Sequence, residues 1–167
     1  MHPDELQNTI QRYCNRGVVV DANLLLLYFV GKFDRRRIET FKRTNVYTAE
    51  DFDLLAGLLG RFTVLLTTPN VLTEVSNLSH QLPDRARARY YHDFRKQLVL
   101  LNERYVPSAS VRKKRYFDRL GLTDSVIVDL ARDRYRVLTD DVVLTVCLTE
   151  EGLDVVNFTN IRFADLK

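Results

Sequence analysis

Short apolar segments rich in β-branched residues recur along the chain, separated by longer stretches in which apolar residues return with helical spacing. The apolar segments cover residues 18–20, 63–67, 135–139 and 154–158. Their length and composition predict buried strands. Strands that alternate with amphipathic helices form parallel sheets covered on both faces. The pattern therefore predicts an α/β fold, a three-layer α/β/α sandwich around a central, mainly parallel sheet.

Helix boundaries are marked at several places. Thr68, which precedes a proline, is predicted to be an N-cap, and Thr123 is a candidate cap for a helix that begins at Asp124. The composition of residues 83–102 predicts one long, highly charged helix. Residues 111–119 are predicted to form a short basic helix.

Length and composition are those of an ordinary globular domain. With 167 residues, 46% of them hydrophobic, residues 1–167 are predicted to form a single domain. The formal net charge of +3 permits a polyanionic partner without requiring one. The N-terminus does not resemble a signal peptide, and the apolar stretch at residues 18–33 is interrupted and too short for a membrane helix. We therefore expect a cytoplasmic protein with no membrane partner.

Cysteine and histidine residues form no recognisable metal-binding or disulfide pattern. Cys14 and Cys147 are far apart, and His2, His80 and His92 lie near neither of them in the sequence. A zinc site and a disulfide framework are therefore not expected. His80 and His92 have no partner at a spacing typical of acid-base catalysis, so both are predicted to be surface residues.

Two acidic residues in the first half of the chain stand next to apolar positions. Asp21 directly follows the first predicted strand, and open parallel sheets bind ligands at the carboxyl ends of their strands. Glu74 is predicted to border the core-facing side of its helix, which carries Val71 and Val75. Both acids are candidates for a functional site.

The second half of the chain supplies further acids. Asp124 falls within the apolar arc of its predicted helix, whereas Asp129 and Asp133 point away from that arc. Asp140 and Asp141 follow the strand predicted at residues 135–139. Consecutive side chains that leave a strand point in different directions, so these two aspartates are not expected to contribute equally.

Carboxylates gathered at one edge of a sheet repel and raise one another's pKa. A divalent cation such as Mg²⁺ or Mn²⁺ relieves this repulsion, because hard cations prefer oxygen ligands. Such a site activates water and stabilises the charge that develops on a phosphodiester. Each acid alone also has an ordinary explanation as a cap, a turn residue or a helix-border acid. It is the joint occurrence of four that favours a metal site.

The motifs that contain these acids follow one another as in the PIN-domain family. VVVDANLLL resembles the first PIN motif, PNVLTEVSNL the second, GLTDSVIVDLA the third and VLTDD the fourth. The resemblance extends over residues 17–158, nearly the whole chain, and the ordered set is more specific than any single motif. Residues 32–60 and 79–121 are longer than the corresponding parts of compact toxin nucleases.

The resemblance implies a PIN-like, Mg²⁺- or Mn²⁺-dependent endoribonuclease, of the kind found in toxin-antitoxin pairs and in RNA-processing factors. The positions that match the family's catalytic, metal-binding acids are Asp21, Glu74, Asp124 and Asp141. Asn23 and Thr139 match positions that support the site. The implied partners are a single-stranded RNA substrate, a protein antitoxin and a second copy of the chain in a homodimer.

The family pattern also distinguishes the two consecutive aspartates. Its acid stands two residues after the strand-end threonine, which selects Asp141 as the ligand. Asp140 is then expected to be the N-cap of a helix that begins near Val142. A supporting place beside the metal site remains open for Asp140.

Basic residues are candidates for RNA binding, because they follow phosphates and are interleaved with tyrosines that stack on bases. The alternative is an ordinary solvated face. The preferred candidates are Arg35, Arg36, Arg37, Arg112, Lys113, Lys114 and Arg115.

Two other functions remain open from the sequence. A PIN-like scaffold that binds RNA or protein without cleavage would keep the fold and use the same surfaces. A receiver-like phosphoacceptor module also gathers acids around Mg²⁺, but it requires a lysine late in the chain at a strand end, where this sequence has Asn160. No glycine-rich phosphate loop and no Gly-x-Ser-x-Gly motif is present.

Overall fold

Five short strands form one parallel sheet. In a computed structural model that describes residues 17–133 and 135–163, the strands are β1 (Val18–Val20), β2 (Leu65–Thr67), β3 (Leu101–Glu103), β4 (Arg136–Thr139) and β5 (Val155–Asn157). Their order is β3-β2-β1-β4-β5, and every neighbouring pair is parallel. With helices on the sheet, the fold is a three-layer α/β/α sandwich, which confirms the predicted fold class.

Helices connect the strands throughout. They are α1 (Ala22–Asp34), α2 (Ala49–Leu59), α3 (Pro69–Ser79), α4 (Asp84–Leu98), α5 (Ser108–Val111), α6 (Phe117–Ala131), α7 (Val142–Glu150) and α8 (Phe158–Arg162), with a 3₁₀ helix at Arg35–Arg37. Helix α1 packs against α2, α3 and α4, and α6 packs against α3 and α7. Gly121, with φ of 72°, kinks α6.

Strand β1 lies at the centre of the sheet and of the core. Val18 is paired with Leu65 of β2 and with Arg136 of β4. All three valines of β1 are buried, as expected for a strand covered on both faces. Because β1 and β4 are parallel neighbours, the residues that follow them lie side by side at the carboxyl edge of the sheet.

Each of the four predicted strands forms, in most cases one or two residues shorter than expected. Strand β3 was not predicted, because its residues fell at the end of the helix expected over 83–102. That helix ends at Leu98. Asn102 and Glu103 are polar and exposed, so β3 lacks the apolar pattern of a buried strand, and its pairing with β2 determines its conformation.

The short basic helix predicted over residues 111–119 is wrong. Helix α5 ends at Val111, the four basic residues lie in turns, and α6 begins at Phe117. Four consecutive cations offer no apolar face that a helix buries. The cap predicted at Thr123 is also wrong, because Thr123 lies within α6, after its kink.

The sequence also predicts how the cysteines and histidines are placed and whether a helix spans a membrane. Cys14 and His2 lie outside the described residues, whereas Cys147 is buried and not in a disulfide. His80 and His92 are exposed, as predicted. In the part of the chain that the structure describes, no helix has the length and apolar character needed to cross a membrane.

Candidate functional site

Asp21 lies at the carboxyl end of β1 and is the N-cap of α1. Its side chain is 4% exposed. The Leu24 amide donates a hydrogen bond to Asp21 Oδ1 (2.9 Å), and the Asp140 amide donates to Asp21 Oδ2 (3.2 Å). The strand end and the helix start therefore fix both oxygens of this carboxylate.

Burial raises the pKa of Asp21 well above its ordinary value, and the charge of Asp140 acts in the same direction. Hydrogen bonds from the Thr139 hydroxyl and from two backbone amides oppose this increase. The charged form of Asp21 is thus well hydrogen-bonded and poorly solvated. A nearby cation would stabilise it.

The two aspartates after β4 have different environments. Helix α7 begins at Val142, as expected, but its N-cap is Asp141, whose Oδ1 accepts a hydrogen bond from the Leu144 amide (2.8 Å). The expectation that Asp140 caps this helix is therefore wrong, because the cap is the residue directly before the first helical one. The Asp141 amide donates to the Thr139 hydroxyl (2.9 Å), which fixes the turn between β4 and α7.

Asp140 instead accepts a hydrogen bond from the Tyr47 hydroxyl. The guanidinium of Arg162 lies over the Tyr47 ring, 5.2 Å from its centroid, and forms an ion pair with Asp51 at 2.7 Å. Burial and the charge of Asp140 raise the pKa of Tyr47 above its ordinary value, so Tyr47 remains a hydrogen-bond donor. Neither Tyr47 nor Arg162 is among the site residues predicted from the sequence.

Asp124 lies in α6, half-buried, and accepts no hydrogen bond from the described residues. Burial, followed by the charges of Asp141 and Glu74, raises the pKa of Asp124 to about 7. Packing of α6 against α3 brings in Glu74, and packing against α7 brings in Asp141. Three of the four predicted acids are therefore electrostatic neighbours.

Glu74 differs from its prediction in one respect. Val71 and Val75 of α3 are fully buried, as expected, but Glu74 is exposed and lines a cleft instead of bordering the core. The helix periodicity is correct. Whether a border position is covered depends on the neighbouring segment, and here that segment leaves it open.

Within residues 17–133 and 135–163, no group of three or more histidine, cysteine, aspartate or glutamate side chains is close enough to hold a metal ion. The acids instead form two neighbouring sets: Asp21 with Asp140, and Asp124 with Asp141 and Glu74. Their donors are all oxygen atoms, and Asp140 Oδ1 is buried without a hydrogen-bond partner among the described residues. This chemistry fits a hard divalent cation, whose charge would draw the carboxylates together and lower their pKa values.

The predicted supporting residues have different surroundings. Thr139 is fully buried, and its hydroxyl joins Asp21 to the Asp141 amide. Asn23 is exposed, and its side chain contacts no polar group among the described residues. Thr139 thus lies where it was predicted to support the site, while Asn23 faces solvent.

Most of the predicted RNA-binding cations form ion pairs. Arg35 pairs with Asp53, and Arg36 and Arg37 pair with Asp34. Lys114 pairs with Asp129 and Arg115 with Glu151. Arg112 and Lys113 are exposed and form no ion pair with any described residue. These two have the charges best available to a phosphate.

Comparison with known proteins does not assign a family. No protein-family model matches the chain, and no curated protein matches it. The function proposed for this protein therefore rests on its own side chains.

Proposed function

We propose that the protein is a Mg²⁺- or Mn²⁺-dependent endoribonuclease with a PIN-like active site. One observation carries the proposal: at Asp124, burial together with Asp141 and Glu74 raises the pKa to about 7. A carboxylate that is partly buried beside other carboxylates costs stability when it is charged. Perturbed acids of this kind cluster at functional sites, and Asp21 and Asp141 lie at the carboxyl ends of β1 and β4, where open α/β proteins bind ligands.

The cation would be held by carboxylate oxygens of Asp21, Glu74, Asp124 and Asp141. When bound, a divalent cation supplies an activated water and stabilises charge that develops on the phosphodiester. The chain's own residues provide the framework: Asp21 is fixed by backbone amides, and Thr139 links it to the Asp141 turn. Tyr47 positions Asp140 beside Asp21.

Single-stranded RNA is the proposed substrate, with Arg112 and Lys113 as phosphate contacts. Because both are exposed and free of ion pairs within the described residues, replacing them with alanine should weaken RNA binding and reduce its salt dependence by about one phosphate contact per residue. The matched control is Lys114→Ala, which removes a cation already paired with Asp129. Equal salt slopes for all variants would exclude this surface.

The proposed biological setting is a toxin-antitoxin pair. The protein would be the toxin, would act in the cytoplasm as a homodimer, and would have a protein antitoxin as its partner. Among the alternatives, a non-cleaving RNA- or protein-binding scaffold uses the same fold.

The receiver-like alternative is disfavoured by the order of the strands in the sheet. In flavodoxin-like sheets β3 lies between β1 and β4, whereas here β1 pairs with β4 and β3 is at the edge.

The test is cleavage of a labelled single-stranded RNA by purified protein. Cleavage should require Mg²⁺ or Mn²⁺ and stop in excess EDTA. Asp124→Asn should reduce the rate by about 100-fold or more, whereas Asp118→Asn, an exposed acid on the same helix, should leave it unchanged. Cleavage that persists in EDTA would exclude the metal site. RNA binding without cleavage in either metal would favour the scaffold.

A further inference from the structure

A cleft with both polar and apolar lining opens beside the acidic residues. Its volume is about 470 Å³, within the range of about 300–1,000 Å³ that is usual for small-ligand sites. Glu74 of α3 lines it, as does Thr123 of α6, the residue next to Asp124. Tyr105 and Val106, from the segment between β3 and α5, also line the cleft.

Helix α3 presents a continuous polar stripe to this cleft. Asn70, Thr73, Glu74 and Asn77 all line it, and their spacing of three and four residues places them on one helix face. The amides of Asn70 and Asn77 form no hydrogen bond with any described residue. Two sets of amide donors and acceptors are therefore available to a ligand.

Tyr105 adds an aromatic ring to the cleft. It is 78% exposed, and its hydroxyl has no partner among the described residues. Proteins that bind single-stranded nucleic acids stack unpaired bases on such exposed rings and read the base edges with hydrogen bonds. An aromatic ring beside two free amides provides both interactions.

The charge of the lining indicates which part of a nucleotide fits. Glu74 is its only charged residue among the described residues, and no basic side chain lines the cleft. A phosphate would be repelled by this carboxylate and would find no cation. A neutral heteroaromatic base has no such penalty.

We propose that this cleft binds one nucleobase of a single-stranded RNA, stacked on Tyr105 and hydrogen-bonded to Asn70 and Asn77. The inference rests on the proposed ribonuclease function, because Glu74 belongs both to the cleft and to the acidic site. A base held here places an adjacent phosphodiester near the carboxylates. The cleft thereby determines which linkage is cut.

The first experiment measures binding of a fluorescein-labelled single-stranded RNA in EDTA by anisotropy, so that it does not depend on cleavage. Tyr105→Ala should weaken binding roughly 5- to 150-fold, the effect of losing one base-aromatic stack. Tyr105→Phe keeps the ring and should bind within about twofold of the wild type. Phe163→Ala, which removes an exposed aromatic ring outside the cleft, should leave binding unchanged. Thermal melts confirm that each variant is folded.

The second experiment maps cleavage positions on a mixed-sequence RNA in Mg²⁺. The wild type should favour one base at a fixed position relative to the cut, and the Asn70→Ala, Asn77→Ala double variant should lose that preference while still cleaving. A structural defect would lower cleavage at all positions equally, so the two effects are distinguishable.

The outcomes separate this inference from the proposed activity. If the protein cleaves RNA but Tyr105→Ala binds and cleaves like the wild type, the cleft assignment is wrong and the nuclease stands. If RNA binding depends on Tyr105 but no metal supports cleavage, the nuclease is wrong and the base site stands. Cleft variants that keep RNA binding but lose a protein partner would overturn the inference in favour of a protein interface.

Discussion

Asp21 and Asp124 belong to one proposed site but are held in different ways. Asp21 accepts hydrogen bonds from two backbone amides, at 2.9 and 3.2 Å, and a third from Thr139. Asp124 accepts none from the described residues, and acidic side chains are the charged groups that raise its pKa. Two backbone amides and the Thr139 hydroxyl therefore fix one carboxylate, while the other is fixed only by the position of its helix.

This difference concerns how the charge of each carboxylate is stabilised before a cation binds. Hydrogen bonds to a carboxylate stabilise its charged form, so the Asp21 side is partly compensated by the fold itself. On the other side, Asp124 has the charges of Asp141 and Glu74 as neighbours and accepts no hydrogen bond from the described residues. The pKa of Asp21 remains raised despite its hydrogen bonds, and the pKa of Asp124 is raised to about 7. The cation-free state should therefore cost stability on both sides, and a bound cation should relieve both.

The largest expected effect is the loss of RNA cleavage when either Asp21 or Asp124 is neutralised. If both sides hold the same cation, Asp21→Asn and Asp124→Asn should each reduce RNA cleavage by about 100-fold or more. Single-turnover rates at saturating RNA would measure this. If either variant keeps a rate within about tenfold of the wild type, the acid replaced in that variant does not bind the catalytic cation.

The stability of the protein should depend on pH through Asp124. The folded-state pKa of Asp124 is raised from 3.8 to about 7, so its contribution to stability is fully present below pH 3.8 and is lost as the pH rises through 7. Without metal, Asp124→Asn should therefore match the wild type near the low end of this range. Near pH 8 it should be more stable by about 1–3 kcal/mol.

Thermal or urea unfolding at several pH values in EDTA measures this difference. Saturating Mn²⁺ should remove it by stabilising the wild type alone, since the cation binds the folded, charged site. A difference that does not change with pH would mean that Asp124 is not a strained carboxylate.

Much of this arrangement follows from local sequence. The valines of β1 identify a buried strand, and Asp21 at its end is placed by strand topology alone. Thr68 is the N-cap of α3, as its position before a proline predicts. These features depend on residues within one helical turn or one strand, which is why a pattern along the chain predicts them.

The remainder depends on contacts between residues far apart in the sequence. Tyr47 reaches Asp140 across 93 positions, and Arg162 reaches Asp51 across 111. No local pattern marks either residue. Strand β3 forms because β2 has an open edge, and Glu74 is exposed because the neighbouring segment leaves a cleft. Tertiary packing decides all four of these features.

The Asn and Ala variants of Asp21 and of Asp124 separate two contributions to stability. One is the hydrogen bonding of the side chain to backbone amides, and the other is its charge. Asparagine remains an N-cap and alanine does not, so Asp21→Ala should be less stable than Asp21→Asn by about 1 kcal/mol. Both variants remove the charge, which cancels in the difference. At Asp124, which lies inside α6 and accepts no hydrogen bond from the described residues, Asn should have no such advantage over Ala, because alanine is the better helix former. If the Asn and Ala variants are equally stable at both residues, the Asp21 cap does not contribute to stability as proposed.

Asp141 combines the two situations. It caps α7 through the Leu144 amide, like Asp21 in α1, and it raises the pKa of Asp124, like Glu74. Asp141→Asn should keep the cap and the stability but lose cleavage, whereas Asp141→Ala should lose both, with a stability cost of about 1 kcal/mol. Asp140→Ala should not show this capping cost, because Asp140 accepts from Tyr47 and not from α7. Unfolding and cleavage measured on the three variants decide the assignment. If Asp141→Asn cuts RNA normally and Asp140→Asn does not, Asp140 replaces Asp141 as the metal-binding acid of this turn.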